Sequence, residues 1–164
     1  MEGFARGIDA AVDVIGRNAA WCCLALVLVM AGNVLARYGF SAGTVWAQEL
    51  EWHLMSPIAL IGMSYALRHG EHVRVDVLFS RFPPRVQAAV DVVAAVAAIV
   101  VAALIIHFSL RYVGISLAQN EGSANPGGIP YRWALKALIP VGFALLALQS
   151  LAMLLHALRR LRTA

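Results

Sequence analysis

The sequence predicts an all-α membrane protein with four transmembrane helices in a single membrane domain, residues 1–164. Of its 164 residues, 61% are hydrophobic and only 13% are charged, whereas a typical soluble domain is about 25% charged. The mean hydropathy is +0.75. The apolar residues form long unbroken runs, unlike the roughly ten-residue alternating segments of barrel strands. Only helices and closed barrels satisfy their backbone in lipid, so we predict helices.

Four apolar segments are candidate spans, and a spanning helix needs about 20 apolar residues. They cover residues 18–36, 52–67, 92–110 and 137–158. The second segment is short. We therefore expect residues 45–51 before it to form an interfacial turn, with Trp46 at headgroup depth.

The segment before the first span, residues 3–16, has the spacing of an amphipathic helix. Phe4, Ile8 and Val12 recur at helical intervals, whereas Asp9 falls elsewhere on the helical wheel. This pattern predicts an interfacial helix that lies on the membrane surface. A frayed polar N-terminus is the alternative.

The positive charges predict the orientation in the membrane. Nine of the thirteen Lys and Arg residues lie in the N-terminal segment, the loop after the second span and the C-terminus. The other four are Arg37, Arg111, Arg132 and Lys136. The positive-inside rule then places both termini of this multi-pass chain in the cytoplasm. Because the arginines cluster beside apolar runs, we assign them to topology and lipid headgroups and expect no nucleic-acid partner.

The sequence lacks the motifs that would indicate an enzyme. It contains no glycine-rich phosphate loop and no HExxH, CxxC or GxSxG motif, and its cysteines are adjacent. We predict no catalytic residue, metal site or cofactor. None of the four spans contains a carboxylate, so we do not expect the chain alone to couple an ion to transport. One alternative is a b-type cytochrome subunit that binds haem through His53 and His107.

Arg37 and Glu49 are the first candidate pair of charges. Arg37 closes the first span and Glu49 precedes the second on the same side of the membrane, with a short turn between them. Charges at that depth are costly unless they are paired. We expect either a salt bridge that clamps the helical hairpin or a docking contact for another chain.

The polar stretch RHGEHVRVDV, residues 68–77, is the second candidate site. Arg68 lies in the predicted last turn of the second helix, where positive charge is favourable, and Gly70 suits a left-handed cap. Asp76 suits the N-cap of a following turn. Two other roles remain open for Asp76: an ion pair with Arg74 or with an arginine of another subunit, and simple solvation.

These residues, in this order, resemble the small membrane subunit of tripartite ATP-independent periplasmic (TRAP) transporters, the DctQ-like family. The matching positions are Arg37, Trp46, Glu49, Gly62, Arg68, His72, Arg74, Asp76, Pro83, Pro84, Arg85, Ile129, Pro130, Trp133, Pro140 and Gly142. Gln48 is a departure, because an acidic residue often precedes the glutamate in the family.

The resemblance implies a scaffold role in the bacterial inner membrane. In such systems a periplasmic substrate-binding protein captures a small organic acid, and a large multi-spanning subunit moves it inward with an ion gradient. The small subunit would brace the large one and help to receive the binding protein, within a shell of membrane lipids. The structural or subunit-interface candidates are Arg37, Trp46, Glu49, Arg68, His72, Arg74, Asp76, Pro130, Trp133 and Pro140. The substrate-binding residues are not predicted.

Overall fold

The computed structural model describes residues 2–71 and 79–163, which form four long helices. They are α1 (Glu2–Phe40), α2 (Val45–His69), α3 (Pro84–Ala118) and α4 (Arg132–Thr163). The prediction of an all-α chain is confirmed. His72, Arg74 and Asp76, with the N-cap predicted at Asp76, lie outside the described residues.

Within the described residues, three helices are long and apolar enough to cross a membrane. They are α1, α3 and α4. Helix α2 has 25 residues, about 38 Å at 1.5 Å per residue, but it carries Glu49 and Glu51 near its start. The prediction of four transmembrane helices is therefore confirmed in part. The turn expected at 45–51 is helical, because α2 begins at Val45 and the hydroxyl of Thr44 accepts a hydrogen bond from the Ala47 N–H at 3.4 Å.

Helix α1 is continuous over 39 residues. Its length, about 58 Å, is roughly twice the thickness of the hydrocarbon core of a bilayer. The predicted interfacial segment 3–16 and the predicted span 18–36 both lie within this one helix. No turn separates them in the structure.

The first half of α1 packs against the second half of α4. Ala5, Ile8 and Val12 are buried together with Ala152, and Leu155 packs against the same cluster. The helical spacing in this segment therefore builds a contact between helices. The second half of α1 instead exposes large apolar side chains, with Trp21 69% exposed.

Helix α4 is the centre of the arrangement, since it packs against each of the other three helices. Its contact with α3 is the most extensive. Small buried residues recur on α3 at seven-residue intervals, at Ala88, Ala95, Ala102, Ser109 and Ser116. A seven-residue interval returns to nearly the same helix face, and small side chains let two helix backbones approach closely.

Helix α2 packs on α1 and α4 through two glycines. A Cβ at Gly142 of α4 would lie 2.8 Å from the backbone oxygen of Leu60. A Cβ at Gly16 of α1 would collide with the ring of Tyr65. Both positions need a residue without a side chain, because the facing helix occupies that space.

The end of α2 is the one predicted from the sequence. Arg68 and His69 occupy the last turn, and Gly70 is left-handed with φ +75°. The N–H of Gly70 donates to the carbonyl of Leu67 at 3.3 Å. The C-cap at Gly70 is thus confirmed.

Candidate functional site: two buried carboxylates at the ends of the bundle

Glu49 is 3% exposed and binds the loop that joins α3 to α4. Its Oε1 accepts hydrogen bonds from the hydroxyl of Ser123 and, at 3.2 Å, from the side-chain amide of Asn125. Its Oε2 accepts from the backbone N–H of Ile129 at 2.7 Å. We call Glu49, Ser123, Asn125 and Ile129 the Glu49 cluster. It fixes the connection between α3 and α4 onto the start of α2.

The loop folds this way because its sequence favours tight turns. Gly127 has φ +80°, and the N–H of Gly128 donates to the carbonyl of Asn125 at 3.1 Å. A Cβ at Gly128 would lie 2.6 Å from Oε2 of Glu49. Only glycine therefore leaves room for the carboxylate.

Hydrogen bonds lower the pKa of Glu49 below its ordinary value of 4.5. The largest cause is the hydroxyl of Ser123, followed by the N–H of Ile129. Desolvation opposes them, and Arg132 adds a favourable charge. Donors that bind the ionised form stabilise it, so Glu49 is charged at neutral pH.

A second acidic residue reinforces the same loop. Glu121 forms an ion pair with Lys136 at the start of α4, and Lys136 also lies 4.0 Å from the ring centroid of Tyr112. The hydrogen bond from Lys136 is the largest cause that lowers the pKa of Glu121. The N–H of Arg132 donates to the carbonyl of Glu121 at 3.0 Å and closes the loop.

The predicted salt bridge between Arg37 and Glu49 is wrong. Within the described residues no such ion pair is formed, and the carboxylate of Glu49 is occupied by the α3–α4 loop. Arg37 is exposed in the last turn of α1. Its side chain lies beside Gly43 in the turn before α2.

Asp9 is the second buried carboxylate and lies near the opposite end of α2. It is 6% exposed. Its Oδ1 accepts a hydrogen bond from the side-chain amide of Gln149 at 2.9 Å, and Nε2 of His156 lies 3.2 Å from its Oδ2. Nε of Arg68 lies 3.4 Å from Oδ1. We call Asp9, Arg68, Gln149 and His156 the Asp9 cluster. It joins α1, α2 and α4.

Charged side chains next to the Asp9 cluster add further contacts between the helices. Asp13, one turn after Asp9, lies 2.9 Å from Nε2 of His69 and 3.8 Å from Arg68. Arg160 of α4 lies 3.5 Å from Asp91 of α3. All four helices therefore share polar contacts at this end of the bundle.

The two clusters are far apart. Glu49 and Arg68 are separated by nineteen residues of α2, which is about 28 Å of helix. Between them, one described polar link joins α1 to α2: the amide of Asn33 donates to Glu51 at 3.3 Å.

The histidines do not favour the cytochrome alternative. Nδ1 of His53 lies 2.7 Å from the backbone oxygen of Glu49, one turn away. His107 is exposed, and its ring contacts Phe108. The helices that carry them, α2 and α3, scarcely touch. Residues 2–71 and 79–163 contain no group of three or more His, Cys, Asp or Glu side chains placed to hold a metal ion.

The structure brings together only some of the predicted site residues. Glu49 meets the segment that begins at Ile129 and Pro130, eighty residues later. Trp46 is 51% exposed at the start of α2, and Trp133 is half-buried. Pro140 lies inside α4. These residues do not form one site.

Sequence reasoning missed several partners of the two carboxylates. They are Ser123 and Asn125 at one end, and Asp9, Gln149 and His156 at the other. The signal for Gln149 was available, since it is an amide within a long apolar run. An amide there needs a polar partner.

Comparison with known proteins identifies the family. Residues 26–160 match the family model described as tripartite ATP-independent periplasmic transporters, DctQ component. The match covers well over half of the chain, so the chain belongs to this family. It is a membrane-embedded subunit of the TRAP permease type, as the resemblance indicated.

Individual relatives agree with this membership. The ectoine TRAP transporter small permease protein TeaB of Halomonas elongata is 28% identical over 88% of this chain and 77% of its own length. A putative TRAP transporter small permease protein of Haemophilus influenzae is 27% identical over 80% of both chains. The sialic acid TRAP transporter permease protein SiaT of Haemophilus influenzae is 26% identical over 70% of this chain, which spans only 18% of SiaT.

The lowered pKa of Glu49 predicts a specific pH dependence. The contribution of the charged form to stability should be complete above about pH 4.5, the ordinary value, and should disappear as the pH falls through the lower folded value. We expect the wild type to melt at a higher temperature than Glu49→Gln near neutral pH. This difference should vanish in acid, because protonated Glu49 resembles glutamine.

Thermal unfolding in detergent, from neutral pH to about pH 3, measures this difference. Gln48→Ala, a change at the exposed neighbouring residue, is the control and should follow the wild type at every pH. A gap between wild type and Glu49→Gln that stays constant into acid would show that the charge of Glu49 is unimportant.

Proposed function

We propose that this chain is the small scaffold subunit of a TRAP-type secondary transporter. It would brace a large multi-spanning subunit and help to dock a periplasmic substrate-binding protein, so that an ion gradient drives uptake of an organic acid. In this role the chain is not an enzyme and carries no transport site of its own.

The observation that carries this proposal is the position of the buried carboxylates. Asp9, Glu49 and Asp91 are each less than 10% exposed, and each lies toward one end of the described bundle. Each is engaged by side chains of a neighbouring element. A carrier that couples an ion to transport needs an ionisable group within its transmembrane interior. Carboxylates that tie helices together at the ends suit a rigid brace instead.

Exposed apolar surface on α1 and α3 supports the proposal that the chain binds a large partner subunit. Trp21 and Val27 on α1 are 69% and 61% exposed, and Phe108 on α3 is 70% exposed. Apolar faces of this kind can meet lipid or the helices of another membrane subunit. SiaT supports the same idea, because the region similar to this chain is a small part of that longer permease.

We also propose an orientation in the inner membrane. The excess of arginine near Asp9 and at the C-terminus supports cytoplasmic termini, and the Glu49 cluster would then face the periplasm. Helix α2 would be the fourth span, at about 52–67, and segment 3–16 would lie at the cytoplasmic interface.

Arg37 and Trp46 are both exposed and, in this orientation, would lie on the periplasmic side, where they are candidate contacts for another chain. In this single membrane domain, Arg68 and Pro140 would have structural roles.

The scaffold proposal predicts dependence on a partner. Purified from its native membrane in mild detergent, the chain should bring down a much larger membrane protein, identified by mass spectrometry. In liposomes, uptake of a labelled organic acid should require both proteins and the binding protein. Uptake by this chain alone down an ion gradient would overturn the scaffold role.

The orientation predicts which loops are accessible outside the cell. In a background lacking Cys22 and Cys23, Ala124→Cys in the α3–α4 loop should react with an impermeant maleimide in spheroplasts. Glu71→Cys, after α2, should react only once the membrane is permeabilised. Both native residues are exposed, so folding does not hide either site. The reverse labelling pattern would invert the topology.

A further inference from the structure

Glu51 on α2 is a half-buried carboxylate with no positive partner in the part of the chain that the structure describes. Its Oε1 accepts one hydrogen bond, from the side-chain amide of Asn33 on α1, at a distance of 3.3 Å. None of the ion pairs among the described residues includes Glu51. Arg37, in the last turn of α1, lies beside Gly43 instead. A carboxylate has about four acceptor sites, so one neutral donor leaves most of them unused.

The other described carboxylates that are withdrawn from solvent are better satisfied. Glu49 accepts three hydrogen bonds from the α3–α4 loop. Asp9 lies in a cluster that contains an arginine and a histidine, and Glu121 pairs with Lys136. A charge in a membrane protein is costly unless it is paired, and an unpaired ionisable group there indicates a functional contact. Glu51 is therefore the carboxylate for which a partner outside the chain is expected.

Exposed apolar side chains flank the contact between Asn33 and Glu51. Met55 follows Glu51 by one turn of α2 and is 61% exposed, whereas Met30 precedes Asn33 by about one turn of α1 and is 52% exposed. Trp52, next to Glu51, is 57% exposed. Residues one turn apart share a helix face, so each methionine lies on the face of its polar neighbour. We call these five residues the Glu51 surface.

The position of the Glu51 surface favours a membrane helix as its partner. Helices α1 and α2 run in opposite directions, because Asn33 meets Glu51 and Gly16 meets Tyr65. Both methionines therefore lie one turn closer to the middle of the bundle than the polar pair. A soluble protein would meet the connections at the end of the bundle, whereas a helix lying alongside α1 and α2 reaches the methionines as well. Unbranched methionine side chains adapt to such a neighbour.

We propose that Glu51 forms an ion pair with a lysine or arginine on a transmembrane helix of the large subunit, and that the apolar residues of the Glu51 surface pack around this pair. Asn33 is 8% exposed and would hold the carboxylate in position. A guanidinium or ammonium group would occupy the acceptor sites that Asn33 leaves unused. This inference rests on the proposed scaffold function and specifies the chemistry by which the two membrane subunits meet.

The test measures the affinity of the purified chain for the large membrane protein that co-purifies with it. Glu51→Gln removes the charge but keeps an oxygen that can accept from Asn33. We expect its dissociation constant to rise at least about tenfold, since a hydrogen bond to a charged group contributes one such factor or more. Glu71→Gln makes the same change at an exposed residue beyond the other end of α2 and should bind like the wild type.

Thermal unfolding of the chain alone separates a contact between subunits from a contact within the chain. Glu51→Gln should melt at the wild-type temperature, because the hydrogen bond to Asn33 is kept.

A photoactivatable benzophenone side chain at Met55 identifies the neighbouring segment. On irradiation it should cross-link to the large protein, and mass spectrometry of the cross-linked peptide locates the basic residue. Changing that residue to glutamate should weaken binding of the wild-type chain and restore binding of Glu51→Lys.

Several results would overturn the inference. Wild-type affinity in Glu51→Gln would mean that water or lipid headgroups neutralise the carboxylate. A lower melting temperature of the isolated variant, together with weaker binding, would place the role of Glu51 within the chain. A cross-link from Met55 to a soluble protein would identify a different kind of partner. If the chain retained no large membrane protein at all, the scaffold proposal itself would fail, whereas an intact complex that ignores Glu51 would contradict only the ion pair.

Discussion

The hydrogen-bonded carboxylate of Asp9 is the interaction on which the arrangement of α1, α2 and α4 depends. It accepts from Gln149 on α4, lies against Arg68 on α2, and is itself carried by α1. The neighbouring buried residues Ala5, Ile8, Val12 and Ala152 supply close contact but little directional information. In lipid the apolar faces of helices have no strong preference for one another, so a buried charge with polar partners on two other helices can fix their register.

The Glu49 cluster performs the equivalent task at the other end, by a different route. Glu49 binds a loop instead of a helix, and it uses a backbone N–H together with two side chains. Because this loop joins α3 to α4, the start of α2 is held against the helix pair with the most extensive packing. Two charged contacts about 28 Å apart along α2 leave the outer faces of α1 and α3 open to lipid or a partner. This combination of fixed helices and open apolar faces suits the scaffold role proposed above.

Local features of the fold could be predicted from the sequence, and contacts between distant segments could not. The C-cap at Gly70 follows from neighbouring residues, and the helical character follows from the apolar runs. Arg37 was the nearest opposite charge to Glu49 in the sequence, yet the observed partners lie 74 to 80 residues away. A helical wheel put Asp9 on a polar face, because nothing in residues 3–16 indicates that Gln149 covers it. The family resemblance succeeded because it uses the order of many positions instead of one pairwise contact.

The geometry between α1 and α4 tests this account most directly. Spin labels at Val14 and Leu158, both exposed, are attached in a background lacking Cys22 and Cys23, and their separation is measured in bilayers by pulsed electron resonance. We expect one narrow distance distribution for otherwise wild-type protein and for Ala10→Leu, a change on the exposed side of the same turn. Asp9→Leu should give a broad distribution, although it adds apolar surface. A narrow distribution unchanged in Asp9→Leu would show that apolar packing alone sets the arrangement.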